Sequence, residues 1–597
     1  MAGPARVQPP YRLVVRSLRP PRREAAALAA SLLAMTGLAL LAPQLALRFV
    51  DDAIAGAPTH HLALLALGYL GLGVAAQAAT ALTAWLASRL AWDGTNRLRE
   101  HVAAHALRLD LGFHGRRTPG EMIERVDGDV VAVADFAVAF LLDVVGSLLL
   151  LVGVVAAVLA VDVRLGAVLG LFCLLFFTGM TWAQRLAAPS GAAARAATAG
   201  LIGDLEEQLA GAEDLRANGA GEHAVTRLHQ VSGQWYRAEF RGARVGSALL
   251  AATSVGFAAG TALVLGAAAW LNLSGRLTVG TVVLLFQYTL TVRAPFERIL
   301  EQLRHVQAAL AGVTRLGRLL AERRTLPEPA VPRPLPAGAL GLELDAVTFR
   351  HPAPDARPDR PDPPALDGVT LRLAAGETLG LVGRTGSGKT TLARLVLRLY
   401  DPTAGSVRVA GVDLRDVGEV SLRARIGVVT QEVQLFDASV RDNLTLFREG
   451  PSDTRLREVL HEVGLGPWLA GLPDGLDTPL GTADGPGGQD GAALSAGEAQ
   501  LLALARVLLA DPGIVVLDEP SSRLDPATER RLEDVVARLL AGRTGIVVAH
   551  RLSSLSRVDR IAVLAGGRIV EEGRREDLAA DPGSRFARLL ALTGVPG

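Results

Sequence analysis

Long apolar runs in the first half of the chain and short ones in the second divide it before any motif is considered. Six long runs fall at 25–48, 62–88, 137–161, 165–187, 247–271 and 278–297. Each is close to the ~20 residues an α-helix needs to cross a bilayer. After about residue 342 the apolar runs shorten to strand length, as at 379–382, 514–517 and 546–549. Turn-forming and helix-periodic stretches separate them, the pattern of a sheet buried on both faces. The expected fold is an α-helical membrane domain of six transmembrane helices followed by an α/β domain.

The connections between the long runs alternate. Those after the first, third and fifth are short, and those after the second and fourth are long and polar. Arg89, Arg97, Arg99, Arg108, Arg116, Arg117 and Arg125 follow the second run, whereas the first short connection carries Asp51 and Asp52. Basic residues gather on the cytosolic side, so both termini and the long loops are expected there, in a multi-pass protein of the cell membrane. The Arg- and Pro-rich residues 1–23, with no cleavage pattern after them, read as a cytosolic lead-in. The membrane domain is expected over 24–321, a Pro-rich linker over 322–341 and the second domain over 342–597, with an exposed Pro/Asp-rich loop at 352–364. Gln77, Gln184, Asn272, Gln287, Tyr288 and Arg293 are the polar residues noted within the runs. They serve either helix–helix hydrogen bonds or substrate contact, and Arg293 has Glu297 four residues on as a ready partner. Pro43 and Pro295 are candidate kinks in the first and last helices.

Composition sharpens this picture in four ways. At 597 residues, half of them hydrophobic, the chain exceeds one ordinary core. A net charge of +1 without a basic patch interleaved with aromatics gives no reason to expect a nucleic-acid partner. The single cysteine, Cys173, lies in an apolar run and can form no disulfide within the chain. Abundant Ala, Gly, Pro and Arg with almost no Lys suggests a GC-rich genome, and a bacterial source is expected. The only lysine is Lys389.

That lysine sits in Gly383-Arg384-Thr385-Gly386-Ser387-Gly388-Lys389-Thr390, followed by Thr391, between the apolar run 379–382 and the helix-periodic Leu392, Leu395, Val396 and Leu399. The pattern is the phosphate loop G-x-x-x-x-G-K-[ST] in its strand–loop–helix context. Its glycines let backbone amides close around phosphate oxygens, and the helix adds its positive end. A planar guanidinium does not substitute there for a compact ammonium. The run 514–517 ends in Asp518-Glu519, two carboxylates delivered by a buried strand. One suits Mg²⁺ and the next suits polarising a water that attacks the γ-phosphate of ATP. The run 546–549 ends in His550, an imidazole at the same expected edge.

With these motifs in order, the segment 342–590 resembles an ATP-binding cassette (ABC) nucleotide-binding domain. Leu494-Ser495-Ala496-Gly497-Glu498 is similar to the family signature, and Ala499 to Arg506 to the helix behind it. Gln431 matches the family's glutamine loop, Ser522-Arg523-Leu524-Asp525 its aspartate loop, and His550 its switch histidine. Six runs ahead of such a domain resemble an exporter-type half-transporter. The resemblance implies an ATP-hydrolysing translocase in which Lys389 and the loop amides bind phosphate, Glu519 activates water and His550 steadies the γ-phosphate. It implies Mg²⁺ served by Thr390, Gln431 and Asp518, with His351 at the adenine. It also implies a second half-transporter subunit whose signature completes this chain's ATP site, Ser495, Gly497 and Asp525 serving the partner's, and coupling helices near 112–122 and 210–219. An importer of a small molecule such as a metal chelate, or an ATP-gated regulator or channel, is the alternative on the same scaffold. No residue names the substrate.

The chain also departs from the family pattern. Ala496 and Glu498 stand for glycine and glutamine in the signature, His351 stands where a larger aromatic is expected, and the Gly-rich stretch 482–493 lacks the family's glutamate. An altered signature beside an intact Glu519 resembles one half of a heterodimeric exporter, so a heterodimer is expected over a homodimer.

Overall fold

The computed structural model describes residues 21–351, 363–481, 494–518, 526–549 and 552–593. All six long runs are helical in it, within Arg22–Ile54, Thr59–Leu107, Pro119–Val161, Val163–Ala210, Gly221–Leu273 and Val279–Ala321. The middle four have 43 to 53 residues. At about 1.5 Å per residue they reach ~65–80 Å, more than twice the ~30 Å hydrocarbon layer. The polar stretches expected as long loops are therefore mostly helix. Their Ala, Leu, Arg and Glu content favours helix, and the chain breaks only in three short windows, near Asp110–Thr118, at Gly211 and at Asn218–Ala220.

Within this unit the first helix pairs with the second and the fourth with the fifth, while the sixth packs on the first, third and fifth. Its buried core includes Val154 and Val158 of the third helix, Leu169 of the fourth, Val264 and Ala268 of the fifth, and Leu284, Leu285 and Val292 of the sixth. Phe257 and Phe296 of that core and Phe172 and Phe176 packed against it meet edge to face. A Cβ on Gly260 would lie 2.3 Å from the Phe172 ring, so only glycine lets the fourth and fifth helices approach there. Leu64, Leu67, Leu70 and Val74 of the second helix are exposed, the disposition of a lipid-facing helix. Several of the noted polar residues are satisfied inside the unit. The Tyr288 hydroxyl donates to Leu40 O at 2.9 Å and accepts from Gln44 at 3.0 Å. Asn272 donates to Leu277 O, and Arg293 pairs with Glu297 at 2.9 Å.

The second unit contains residues 323–597 together with Leu109–Arg117. Strands β1 (Leu342–Phe349), β2 (Leu366–Leu373), β4 (Ala404–Val409) and β5 (Val412–Asp413) form an antiparallel sheet in the order β2-β1-β4-β5. Strands β3 (Thr378–Val382), β6 (Ile426–Val429), β9 (Ile514–Asp518), β10 (Thr544–Val548), β11 (Arg560–Ala565) and β12 (Arg568–Arg574) form a second sheet. Its order is β12-β11-β3-β10-β9-β6, parallel except for β12. The short strands β7 (Ala438–Ser439) and β8 (Pro479–Leu480) pair separately. Ile514 and Val516 enter the core shared with the antiparallel sheet, while Val515 and Leu517 enter the core beneath the helices on the other face. Burial on both faces is why these strands read as unbroken apolar runs.

Two stretches depart from the division expected from sequence. The Pro-rich stretch 322–341 is not a free connector: Leu335 and Leu340 are buried in the second unit's core, Arg333 bridges to Val417, and the Leu335 amide donates to Ser421. Proline supplies the extended backbone and the two leucines anchor it. The segment Leu109–Arg117, expected within the membrane domain, packs with the second unit. Asp110 caps the short helix Leu111–His114, and its other carboxylate oxygen accepts from both the amide and the hydroxyl of Thr325 at 2.6 Å. Of the exposed loop expected at 352–364, residues 352–362 lie outside the described residues.

Candidate functional site

Strand register brings the candidate residues to one edge of the parallel sheet. Val548 of β10 lies level with Leu381 of β3 on one side and Asp518 of β9 on the other, and Val429 of β6 lies level with Leu517. These carboxyl ends carry Asp518, the last residue of β9, and the loops that leave them carry the Gly383–Lys389 turn and Gln431, at the edge where α/β sheets bind ligands. Strand β3 is buried along its whole length, and the helix Lys389–Val396 begins directly at the lysine. Gly386 and Gly388 have φ of 80° and 109°, a backbone region closed to most residues with a Cβ. A Cβ on Gly388 would also lie 2.7 Å from Ala365 O. Arg384, Thr385 and Gly386 form the exposed crest of the loop, and Thr390 and Thr391 open the helix.

Lys389 is 5% exposed, and its Nζ donates to Gly383 O at 2.6 Å and Arg384 O at 3.3 Å. The ammonium is thus folded into the loop that it would share with phosphate. Ser387 Oγ is buried and has no hydrogen-bond partner among the described residues. A buried hydroxyl without a partner costs about 1–3 kcal/mol, so the loop keeps an unmet polar group at the turn where a phosphate oxygen fits.

His351 lies against the start of this helix. Its Nε2 is 3.3 Å from Thr391 Oγ1, and its ring meets Phe349 and Tyr400 edge-on. Burial, and after it the Arg394 charge, hold the imidazole below its ordinary pKa, which favours the neutral ring. Tyr400 also borders the Leu109–Arg117 segment, where a Cβ on Gly112 would lie 3.6 Å from its ring. That contact links the ring beside His351 to the Leu109–Arg117 segment, and no sequence motif singles out Tyr400.

The glutamine loop and the signature helix are tied together. Gln500 donates to Gln431 O at 3.1 Å, and the Arg506 guanidinium donates to Gln434 O and Asn443 O. Asn443, wholly buried, in turn clamps the Phe436 amide and carbonyl. Gln500, Arg506 and Asn443 were not predicted as site residues. Their signal is only that polar residues interrupt apolar helices.

Ser495 caps the helix Ala496–Ala510, and Gly497 is buried in its first turn. Glu498 completes a capping box. Its carboxylate accepts from the Ser495 amide at 2.9 Å and from the Ser495 hydroxyl at 2.8 Å. The carboxylate introduced into the signature is therefore turned back on its own helix start, and S-x-x-E is legible as such a box in the sequence. Among the described residues no hydrogen bond joins Ser495 to the phosphate loop. Glu519, Asp525 and His550 lie outside the described residues, as do Ser522 and the Gly-rich stretch 482–493.

Comparison with known proteins agrees with this architecture. The model of the ABC transporter transmembrane region matches residues 27–296, and that of the ABC transporter domain matches 366–522. An ATP-dependent lipid A-core flippase of Chromobacterium violaceum is 30% identical over 569 residues, covering 94% of each chain. A multidrug efflux ATP-binding/permease protein of Mycobacterium bovis is 35% identical over 504 residues, 83% of this chain but 40% of that protein, so the chain spans well under half the length of that relative. The solved structure of a bacterial Atm1-family ABC exporter with ATP bound superposes with a TM-score of 0.77 at 25% identity, covering 96% of this chain and 99% of that one. The chain belongs to the ABC transporters, as a multi-pass bacterial membrane protein that fuses an exporter-type six-helix region to a cytosolic ATPase domain.

Proposed function

We propose that the chain is one subunit of a dimeric, ATP-driven exporter of a small molecule, lipid or peptide. The observation that carries the reading is the shared sheet edge: a buried Lys389 in a glycine turn, with Asp518 and Gln431 on neighbouring strand ends, in a chain with six membrane helices. Lys389 and the amides of 383–390 take the β and γ phosphates of ATP. Thr390, Asp518 and Gln431 suit Mg²⁺ by their oxygen donors, which would neutralise charge developing on the phosphates. Glu519 holds the attacking water and accepts its proton, and His550 keeps the γ-phosphate in line. His351 supports the adenine with a smaller ring than the family uses.

The partner in this reading is a different half-transporter. The support is the capping box, because a Ser495 hydroxyl bound to Glu498 is a weaker donor for a partner's ATP, while the catalytic carboxylate of this chain is intact. The test of the site is Glu519→Gln. ATP binding is expected to persist while hydrolysis falls by about 10²–10⁴-fold, the contribution of a positioned general base. Unchanged turnover would remove Glu519 from this role.

A further inference from the structure

The third membrane helix is not uniform. It passes through a π-helical stretch at Phe140–Val145, and such insertions are frequent at functional sites. The stretch carries Asp143, a carboxylate inside a span. Among the described residues its one hydrogen bond is from Gln302 Nε2 of the sixth helix, at 2.9 Å. Gln302 is 8% exposed, and its Oε1 is buried with no partner among the described residues. Ser147, one turn beyond Asp143 on the third helix, is 3% exposed, and its Oγ is likewise unpartnered. Two of the few unmet buried polar atoms therefore flank one intramembrane carboxylate.

The chemistry of the three groups is weighted towards acceptance. The Asp143 carboxylate and the Gln302 amide oxygen only accept, and the Ser147 hydroxyl accepts as well as donates, so a cationic donor is the component that complements all three. We propose that Asp143, Ser147 and Gln302 form a binding site for the cationic, N–H-bearing head group of an amphiphile, a primary ammonium or a guanidinium. Depth points to an amphiphile. Counted from the external helix ends at Val161 and Val279, Asp143 and Gln302 lie about 27 Å and 34 Å in, near the inner boundary of a ~30 Å hydrocarbon layer. A head group held there leaves its tail beside Leu148 and Val152, which are exposed on the outward continuation of the same helix. The site gives the exporter reading a cargo class and rests on that reading only for the direction of movement.

The test uses the full chain in phosphatidylcholine nanodiscs and three probes with one tail: dodecylammonium, dodecyltrimethylammonium and dodecanol. Binding is measured against empty nanodiscs and needs no ATP, so its failure is distinct from failure of the hydrolysis test at Glu519. Dodecylammonium is expected to bind about tenfold or more tighter than dodecanol, the scale of a charge-assisted hydrogen bond, and tighter than dodecyltrimethylammonium, which has charge but no N–H. Asp143→Asn is expected to remove the ammonium preference and leave dodecanol unchanged. Equal binding of the three probes to the unaltered chain, or a preference that survives Asp143→Asn, would overturn the proposal. Displacement of the ammonium by excess sodium or potassium but not by choline would also overturn it, by assigning the site to a bare cation.

Discussion

At the scale of single residues, the signature shows how a substitution that looks adverse is accommodated. A carboxylate near bound phosphate is unfavourable by simple electrostatics, yet Glu498 is held by the Ser495 amide and hydroxyl instead of projecting forward. Capping interactions of this kind contribute about 0.5–2 kcal/mol. Glu498→Ala is therefore expected to lower the stability of the ATPase domain by ~1 kcal/mol, read as a lower unfolding temperature in detergent. ATP binding at this chain's own Lys389 should be unchanged. A loss of ATP binding would show that Glu498 serves the phosphate loop directly. The box was legible from four letters of sequence, whereas the folding of Lys389 onto Gly383 and the unmet Ser387 hydroxyl were not. Motifs specify which groups meet a phosphate and leave open what those groups do among themselves.

At the scale of elements, the first cytosolic helix is held on the ATPase unit by a polar clasp. Burial alone would raise the Asp110 carboxyl, but hydrogen bonds from the Thr325 hydroxyl and amide, Phe113 and Gly112 outweigh it and hold the group below its usual range. A depressed carboxyl stabilises the folded state fully above its unfolded pKa, near 3.8, and loses that contribution as pH falls through the lower folded value. The clasp is thus expected to persist at pH 5 and to weaken below pH 3.8. Asp110→Ala is expected to mimic that loss at neutral pH, at about 1–3 kcal/mol for stranded donors. Hydrogen exchange over 109–117 should rise while the strand β3 amides stay protected. Unchanged exchange would mean that packing of Phe113 and Arg117, whose guanidinium lies 3.9 Å from the Phe113 ring, is sufficient by itself. The family resemblance implied a coupling helix near 112–122, and the structure has short helices at Leu111–His114 and Pro119–Ile123. The Thr325 partner is 215 residues away, and no local pattern could have named it.

At the scale of the whole molecule, the reading turns on what completes the ATP site. If the partner is a different chain, this protein purified alone is expected to bind ATP but to hydrolyse it slowly, and co-expression with its partner should restore turnover. Equally fast, transport-coupled hydrolysis by a homodimer would defeat that expectation. The helix lengths bear on the same scale. Helices of up to 53 residues extend well past the membrane and carry into the cytosol the arginines and acids that sequence pattern placed in loops. The Asp129–Arg315 pair, with its acid buried, lies in those extensions.

The sequence by itself determined the six spans, the sidedness of the chain, the strand–loop–helix at Lys389 and the Asp518-Glu519 pair. Each is a local signal, an apolar length or a fixed spacing, that physics reads without knowing the rest of the fold. Only the tertiary structure decided that the Pro-rich stretch is strapped into the ATPase core, that Gln500 and Arg506 hold the glutamine loop, and that Asp143 and Gln302 meet between two membrane helices. Those depend on residues up to 159 positions apart in the last case and on which face of each helix is buried. A hydrogen bond across such a distance leaves no periodicity along the chain.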